Sequence, residues 1–480
     1  MLIAFKPQEK NLLKDISSFA KDKKVKLYLV GGILRDIFLN RNKENLDIDF
    51  CLNKGAINFG KSLARQIKAG FVVLDKEHGA CRLVKRIKDR SYTLDFTDFR
   101  GATLKEDLLH RDFSINTMAL ELDKVFNHGD LNAMLIDPYR ARGDLKLKII
   151  RVTNKRVFDE DPLRLLRAFS FSCLLGFEIG KETLRLIKLK KDQLSRVSTE
   201  RIRDELFKIL DRPDAFAYLL KMERMGILEI IFPEIKLMRR VNQGPYHHLD
   251  VWEHTLETLR LLEEVVGQHQ KNKDIQEYLG EIVSPDRRRF ALIKLGALLH
   301  DVGKPQARRR KGGKLTFYGH ERIGLEIMEA VVQRLRLSNH EREALRKMVL
   351  WHLRPGYLAD NEKITPRAIF RYFRDTAREA VSVLLIALAD QRATRGKLTT
   401  KQSRMRHEKV VSNLIREYFR RASVTKPARL INGDVLIRKF GLEPSPLIGK
   451  ILSQVEELQA IGKIKTKREA LKVAEALIDK

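Results

Sequence analysis

Cysteine is nearly missing from this 480-residue chain. The three present, Cys51, Cys81 and Cys173, are scattered and odd in number. They make neither a metal-type pair nor a disulfide framework, and a reducing cytoplasm suits them. Long apolar runs are missing too. None approaches the ~20 residues that cross a bilayer, so no membrane partner is expected. The stretch Met1-Leu2-Ile3-Ala4-Phe5-Lys6 lacks the basic segment, long apolar segment and small-residue cleavage site of a secretory leader. No internal repeat of convincing period and no low-complexity segment interrupts the chain.

Negative charge is also scarce. Asp and Glu number 63 against 94 Lys and Arg, a formal +31. A thermophile-like Lys/Glu-rich surface would explain abundant charge but not this imbalance. A balance so basic points to a polyanionic partner, most simply nucleic acid. Hydrophobic residues make up 43% of the chain, enough for packed cores, and the length suggests roughly three domains.

Periodicity divides the chain in two. Residues 25–150 read as mixed α/β. Strands are predicted at Val25–Val30, Leu46–Leu52, Phe71–Leu74, Cys81–Ile87 and Tyr92–Phe99, and helices after Gly31-Gly32 and over Ala56–Lys68. Ser114–Glu121 reads as a helix or a helix–strand junction. After Val157 the spacing is helical: Pro162–Leu174, Thr199–Leu210, Leu256–Val266, Phe290–Leu299, Ile323–Leu335 and Ala380–Ala389. Breaks are expected near Pro233, Gln243-Gly244-Pro245, Arg309–Gly313, Pro355-Gly356 and Thr425-Lys426-Pro427. The fold class is a small α/β head followed by a long helical body.

Two carboxylates dominate the head. Asp47 and Asp49 stand in Asn45-Leu46-Asp47-Ile48-Asp49-Phe50. Two apart on a strand, they share a face. Paired acids make a poor core but a good hard-cation site, and Mg²⁺ prefers one or two carboxylates plus substrate phosphates. Gly31-Gly32, opening a helix, offers backbone N–H groups to a phosphate. Phosphoryl or nucleotidyl transfer is the chemistry these groups suit. Further along, Arg111 can neutralise a triphosphate, Asp112 can accept from a ribose hydroxyl, and Asn116 can bond to either. Asp161 and Arg164 are three apart and share a helix face behind Pro162, a first-turn residue. They read either as an N-cap acid with an ordinary intrahelical ion pair, or as a binding pair.

In order, Gly31-Gly32…Arg35-Asp36, Asp47…Asp49, Arg111-Asp112…Asn116, Asp137-Pro138, Glu160-Asp161…Arg164 and Val197-Ser198-Thr199-Glu200-Arg201 resemble the motifs of bacterial class II tRNA nucleotidyltransferases. These are the CCA-adding enzymes and their poly(A) polymerase relatives. The resemblance implies a polymerase-β-like mixed-sheet head. It implies Mg²⁺ on Asp47 and Asp49, triphosphate on Gly31, Gly32 and Arg35, ribose on Asp112 with help from Asn116, and a protein template for C or A in Asp161 and Arg164. Glu200 and Arg201 would support that template helix, and Asp95 is a candidate third carboxylate. Partners would be tRNA, CTP and ATP. The family's CCA-adding members carry a flexible loop where this chain passes from Arg100 through Gly101-Ala102-Thr103 straight to Leu104-Lys105. A shortened loop resembles the branch that adds only CC, which stands as an alternative.

A second constellation lies in the helical body. His247-His248…His254 precedes His300-Asp301-Val302-Gly303-Lys304-Pro305, followed by His320, His352 and Asp390. A lone histidine on an apolar helix is usually a satisfied core residue, but imidazoles and carboxylates so grouped suit a transition metal. The set resembles the HD phosphohydrolase superfamily. That resemblance implies His254, His300, Asp301 and Asp390 as core ligands of Mn, Ni, Co, Fe or Zn, with His320 and His352 able to hold a second ion. Expected segments are a head at 1–150, a neck at 151–240, an HD domain at 241–397 and a basic helical tail at 398–480. Two further alternatives are a poly(A) polymerase and an HD metal phosphohydrolase whose head only recognises RNA.

Overall fold

The computed structural model describes residues 5–41, 46–126, 131–422 and 428–478. Asn45, the first four residues of the N-terminal stretch and the break expected at Thr425-Lys426-Pro427 lie outside the described residues. The chain forms two compact units, Met1–Glu205 with Arg224–Ile230, and Leu206–Glu223 with Ile231–Lys480.

The first unit opens with α1 (Pro7–Asp22), β1 (Tyr28–Val30), α2 (Gly32–Phe38), β2 (Leu46–Leu52) and α3 (Ala56–Ile67). It continues with β3 (Gly70–Asp75), β4 (Ala80–Ile87), β5 (Arg90–Asp98), α4 (Leu104–Leu109) and β6 (Ala119–Glu121). Six strands make one sheet in the order β3-β4-β5-β2-β1-β6. It is mixed, because β2 and β5 run parallel while every other neighbour pair is antiparallel. Alternation along β2 sorts its side chains. Ile48 and Phe50 are buried. Phe50 stacks on Phe96 of β5 with ring centroids 4.8 Å apart, Phe59 of α3 covers Phe96, and Phe19 of α1 packs on Phe59. Burial of each such ring contributes about 1.5–3 kcal/mol, so this face is fixed as core. The opposite face carries Asp47 and Asp49, with the buried Cys51 beyond them.

Several elements differ from the sequence expectation. Helix α1 was not foreseen, although Leu12, Leu13, Ile16, Phe19 and Ala20 are buried at helical spacing. Strand β1 starts at Tyr28, not Val25. Ser114–Glu121 splits into a 3₁₀ turn, Ser114–Asn116, and β6. The helix expected from Pro162 starts at Arg164; Pro162 and Leu163 form a turn in which the Asp161 carboxylate accepts from the Leu163 amide at 3.2 Å.

The second unit is mainly helical, with Val251–Gln268, Arg289–Leu299, His320–Arg334, Asn339–Trp351, Ala380–Ala393, Lys401–Ala422 and Pro446–Ala460 among its longer members. Pro355-Gly356 is not a break. It lies in the helix Arg354–Ala359, where Pro355 occupies the first turn and needs no amide partner; the interruption falls at His352-Leu353. The break expected at Arg309–Gly313 is a β-hairpin. Arg309–Lys311 pairs with Lys314–Thr316 across Gly312 and Gly313, whose φ values of 54° and 74° suit a two-residue hairpin turn. Near the C-terminus, Ile431, Leu436, Ile448, Ile451 and Val455 belong to a small core of their own. Among the described residues, no helix is long and apolar enough to cross a membrane.

Candidate active sites

The head site is built on β2 and the turn that follows β1. Val30 pairs with Asp49 in register, which brings Gly31 over the Asp49 carboxylate. Gly31 has φ 75°, and a Cβ there would lie 2.8 Å from Asp49 Oδ2 and 3.1 Å from an Arg111 guanidinium nitrogen. Only glycine fits this position. Among the described residues no protein donor bonds to Asp47 or Asp49. Burial raises the Asp49 carboxyl above its ordinary range, Asp95 and Asp47 add to the rise, and Arg111 opposes it. A half-buried acid, crowded by like charges and without a donor, is a fitting divalent-cation ligand. Asp95 sits opposite Asp49 in the parallel register. Arg82 holds it through two hydrogen bonds of 2.8 Å, so the candidate third carboxylate carries a cation of its own.

The residues expected to hold nucleotide form a hydrogen-bonded chain beside this pair. Arg35 donates to Asp36 at 2.9 Å and to Asn116 Oδ1 at 2.8 Å. Asn116 donates to Asp112 Oδ1 at 2.8 Å, and Arg167 donates to Asp112 Oδ2 at 2.7 Å. Burial alone would raise the Asp112 carboxyl, but Arg167 and these hydrogen bonds hold it below its usual range. Arg35 and Arg167 both lie over the Phe171 ring, at 5.2 and 5.0 Å. Arg167 and Phe171 escaped the sequence reading; their signal was the spacing Arg164…Arg167…Phe171, one side of a helix.

Asp161 and Arg164 do not pair with each other. Arg201 holds Asp161 at 2.8 and 3.2 Å. Arg164 donates to the His110 carbonyl at 2.7 Å and to Glu160 at 3.2 Å. The ordinary intrahelical ion pair is therefore absent, and each side chain is aimed by a different neighbour. Asp137 caps the short helix Ala141–Leu147 by accepting from the Ala141 and Arg142 amides.

In the second unit all six expected ligands converge. His254, His300 and Asp390 form one group, Asp301, His320 and His352 another, with ligand atoms in each within 4.8 Å of one another. Asp301 lies between them. Its Oδ2 is 3.2 Å from His300 Nε2, and its Oδ1 is 3.3 Å from His320 Nε2 and 3.7 Å from His352 Nε2. The Nδ1–H groups of His300, His320 and His352 donate to the carbonyls of Ala297, Phe317 and Val349 at 2.7–2.9 Å. That anchors each ring through Nδ1 and turns each Nε2 inward. Burial pushes His352 down to about 3 and lowers His254, the direction that favours the neutral imidazole a metal needs. Burial would raise Asp301, but His300 and Lys304 hold it well below the usual carboxylate range. Buried imidazole and carboxylate atoms lacking good hydrogen bonds, among them His300 Nε2 and both Asp301 oxygens, make a donor set that fits a transition metal. Lys304 adds a group the ligand list omitted. Its ammonium lies 2.6 Å from Asp301 Oδ2 and donates to Gln243 at 2.7 Å.

Comparison with known proteins matches both sites. A model described as "Poly A polymerase head domain" covers residues 27–151, "Probable RNA and SrmB- binding site of polymerase A" covers 176–238, and "HD domain" covers 251–395. The multifunctional CCA protein of Legionella pneumophila is 30% identical over 341 residues, 68% of this chain and 75% of that protein. The chain belongs to the class II tRNA nucleotidyltransferases. The A-adding tRNA nucleotidyltransferase of Deinococcus radiodurans is 29% identical over 92% of this chain and 93% of its own length. The CC-adding enzyme of Geobacter sulfurreducens is 28% identical over 95% and 93%. A solved CCA-adding enzyme with CTP shares the fold at a TM-score of 0.67, 23% identity, and 99% and 97% coverage. As a nucleotidyltransferase carrying an HD domain, the chain is an enzyme of divalent-metal-dependent type. None of these relatives is named as a phosphohydrolase alone or as a poly(A) polymerase, so those alternatives are not favoured.

The Gly31 geometry makes a prediction. In Gly31→Ala the new methyl displaces Asp49 or Arg111 and strains the turn. Incorporation of labelled CMP into tRNA is expected to fall about 10²-fold, the scale of a 1 Å misplacement in an active site, with tRNA affinity little changed. Wild-type incorporation would refute the close approach.

Proposed function

We propose that this enzyme extends the 3′ end of tRNA with C and A, using CTP and ATP without a nucleic acid template. The observation that carries the reading is the donor-free Asp47/Asp49 pair under the Gly31 turn. Bound to these two carboxylates, Mg²⁺ would activate the tRNA 3′-hydroxyl and neutralise the departing pyrophosphate. Arg111 and Arg35 supply fixed positive charge for the triphosphate. Asp112 has both oxygens engaged, so a ribose hydroxyl would share it with Arg167 and Asn116.

Base choice follows from hydrogen-bond polarity. Cytosine and adenine each offer an exocyclic amine as donor next to a ring nitrogen as acceptor. Uracil and guanine present the reverse order, a carbonyl acceptor beside an N–H donor. A carboxylate at Asp161 and a guanidinium at Arg164 complement the first pattern and leave the second unpaired. Arg201 and the His110 carbonyl keep the two groups aimed. We assign residues 1–150 to the catalytic head, 151–240 to the template-bearing neck, 241–397 to the HD domain and 398–480 to a tail that tracks tRNA phosphate. The HD ligands would hold Mn, Ni, Co or Fe for phosphohydrolysis, and the work site is the cytoplasm, where charged tRNA ends are needed.

The test uses tRNA ending before CCA, given CTP alone and CTP with ATP, and read at nucleotide resolution. Two added C residues followed by one A is the expected result. A product stopping at CC with both nucleotides present would transfer the chain to the CC-adding branch, and a long A tract would make it a poly(A) polymerase. In the same assay Arg164→Ala is expected to lower discrimination against UTP and GTP on the order of 10²-fold or more. Unchanged selectivity would refute the template role.

A further inference from the structure

The head sheet carries a row of side chains across one face. Val30 of β1 registers with Asp49 of β2, Asp49 with Asp95 of β5, and Asp95 with Arg82 of β4. Residues in register on neighbouring strands share a face, and the strands are about 4.8 Å apart. Asp95 therefore stands between an open carboxylate and a guanidinium. The guanidinium has it: Arg82 Nε donates to Oδ1 and Arg82 Nη2 to Oδ2, both at 2.8 Å. Each oxygen has its own donor, the fork-on-fork geometry that fixes a carboxylate's direction as well as its charge. An ordinary cross-strand pair on a solvated face would show the same two hydrogen bonds. What sets this pair apart is its neighbour. Asp47, Asp49 and Asp95 put three acids on two adjacent strands, and without Arg82 their charges would repel one another unopposed. The pair can also be opened. The Arg82 side chain is 45% exposed and that of Asp95 21%, and a pair in such contact with water gains little over its hydrated parts. A divalent ion beside Asp49 offers Asp95 twice the charge of the guanidinium.

We propose that Arg82 is a positioning residue for nucleotidyl transfer: it competes with the divalent ion for Asp95, so that the free head offers two open carboxylates and yields the third only when an ion displaces the guanidinium. The proposal rests on the reading of Asp47 and Asp49 as the Mg²⁺ pair. Affinity for a hard cation climbs with the number of charged ligands. A latched Asp95 therefore keeps the empty head from gripping the ion before a nucleotide brings phosphate oxygens of its own. Arg82 acts through Asp95 and takes no part in bond making or breaking.

The test measures Mn²⁺ binding to the full-length enzyme without nucleotide, by electron paramagnetic resonance of the free ion. The head's share is the binding that disappears in Asp47→Ala with Asp49→Ala, which leaves the HD centre as it is. In Arg82→Gln that share is expected to tighten at least about tenfold. It should stay tighter in about 0.5 M KCl, where exposed charges more than about 4 Å apart are largely screened. Adding Asp95→Asn to Arg82→Gln should cancel the gain, returning the affinity to within about threefold of the wild type. Arg86, exposed four residues along β4 on the same face, is the control: Arg86→Gln removes a like charge but no latch and should leave binding unchanged. Thermal melting is a second readout. In EDTA Arg82→Gln should melt below the wild type, and Mn²⁺ should lift its midpoint by more degrees than it lifts the wild type's. Should Arg82→Gln fail to fold, Arg82→Lys keeps the charge but loses the fork, and is expected to tighten binding about threefold. Unchanged or weaker Mn²⁺ binding in the folded Arg82 variant, or an equal gain in Arg86→Gln, would overturn the latch alone. Full Mn²⁺ binding in Asp47→Ala with Asp49→Ala would sink the metal reading of that pair and the latch with it.

Discussion

Changing Asp47 and Asp49 together to alanine will remove nucleotide incorporation by at least about 10³-fold, since the charge stabilisation lost at a metal site is several kcal/mol and each 1.36 kcal/mol is tenfold in rate. The protein itself should not suffer. Asp49 is an acid whose folded-state carboxyl is raised, first by burial and then by Asp95 and Asp47. An acid raised on folding opposes stability at pH values above its unfolded range, where it must stay ionised in place. Removing it at pH 7 therefore relieves the fold, and the thermal midpoint is expected to hold or rise. Affinity for tRNA should change by less than about threefold, because the basic surface that gathers phosphate is untouched. Gel-resolved incorporation, filter binding and thermal melting check the three parts separately. Retained incorporation, or collapse of tRNA binding with activity, would remove the pair from the centre of the mechanism.

Replacing Asp301 by alanine will empty the HD centre. Four imidazole nitrogens lie within 3.2–3.7 Å of its two oxygens, and no other carboxylate in the cluster reaches both groups. Loss of a supporting partner outside the ligand shell already costs 10- to 100-fold in affinity, so loss of this ligand should lower metal content, measured by mass spectrometry of the dialysed protein, by more than about 100-fold. The variant should also melt earlier. Lys304 is buried against Asp301, and an ammonium stripped of a buried partner costs about 3–5 kcal/mol. Asp301→Ala with Lys304→Met removes both charges and should recover much of the midpoint while leaving the metal absent. Incorporation by the head should persist in both variants. Full metal content in Asp301→Ala would refute the ligand assignment.

Much of this is legible in the sequence. The strand Leu46–Leu52 was expected within the observed bounds, because Asp47-Ile48-Asp49-Phe50 alternates so cleanly. The six residues that converge in the helical body were also named from sequence, since adjacent His-Asp followed by Gly-Lys-Pro, with further histidines and an aspartate after it, resembles the HD pattern. The misses share a cause. Arg167 reads as one more base on a basic helix until Asp112, 55 residues earlier, is folded against it. Arg201 and Asp161 are 40 residues apart, so the local pairing Asp161–Arg164 looked sufficient and was not the one formed. The hairpin was read as a break because Gly312-Gly313 ends a helix and turns a hairpin equally well. Periodicity reports what a segment does alone; ion pairs between distant segments depend on packing that no local spacing encodes.

The three HD histidines anchored through Nδ1 each bond to the carbonyl three residues earlier. Each ring thus takes its aim from its own helical turn, not from the domain around it. A substitution that shifts these helices changes how far apart the three lone pairs sit, and hence which ion suits the gap, but leaves each nitrogen pointing as before. The ion preference of such a centre can drift by small movements of whole helices without any ligand being lost, which makes the spacing between turns the adjustable part of the site.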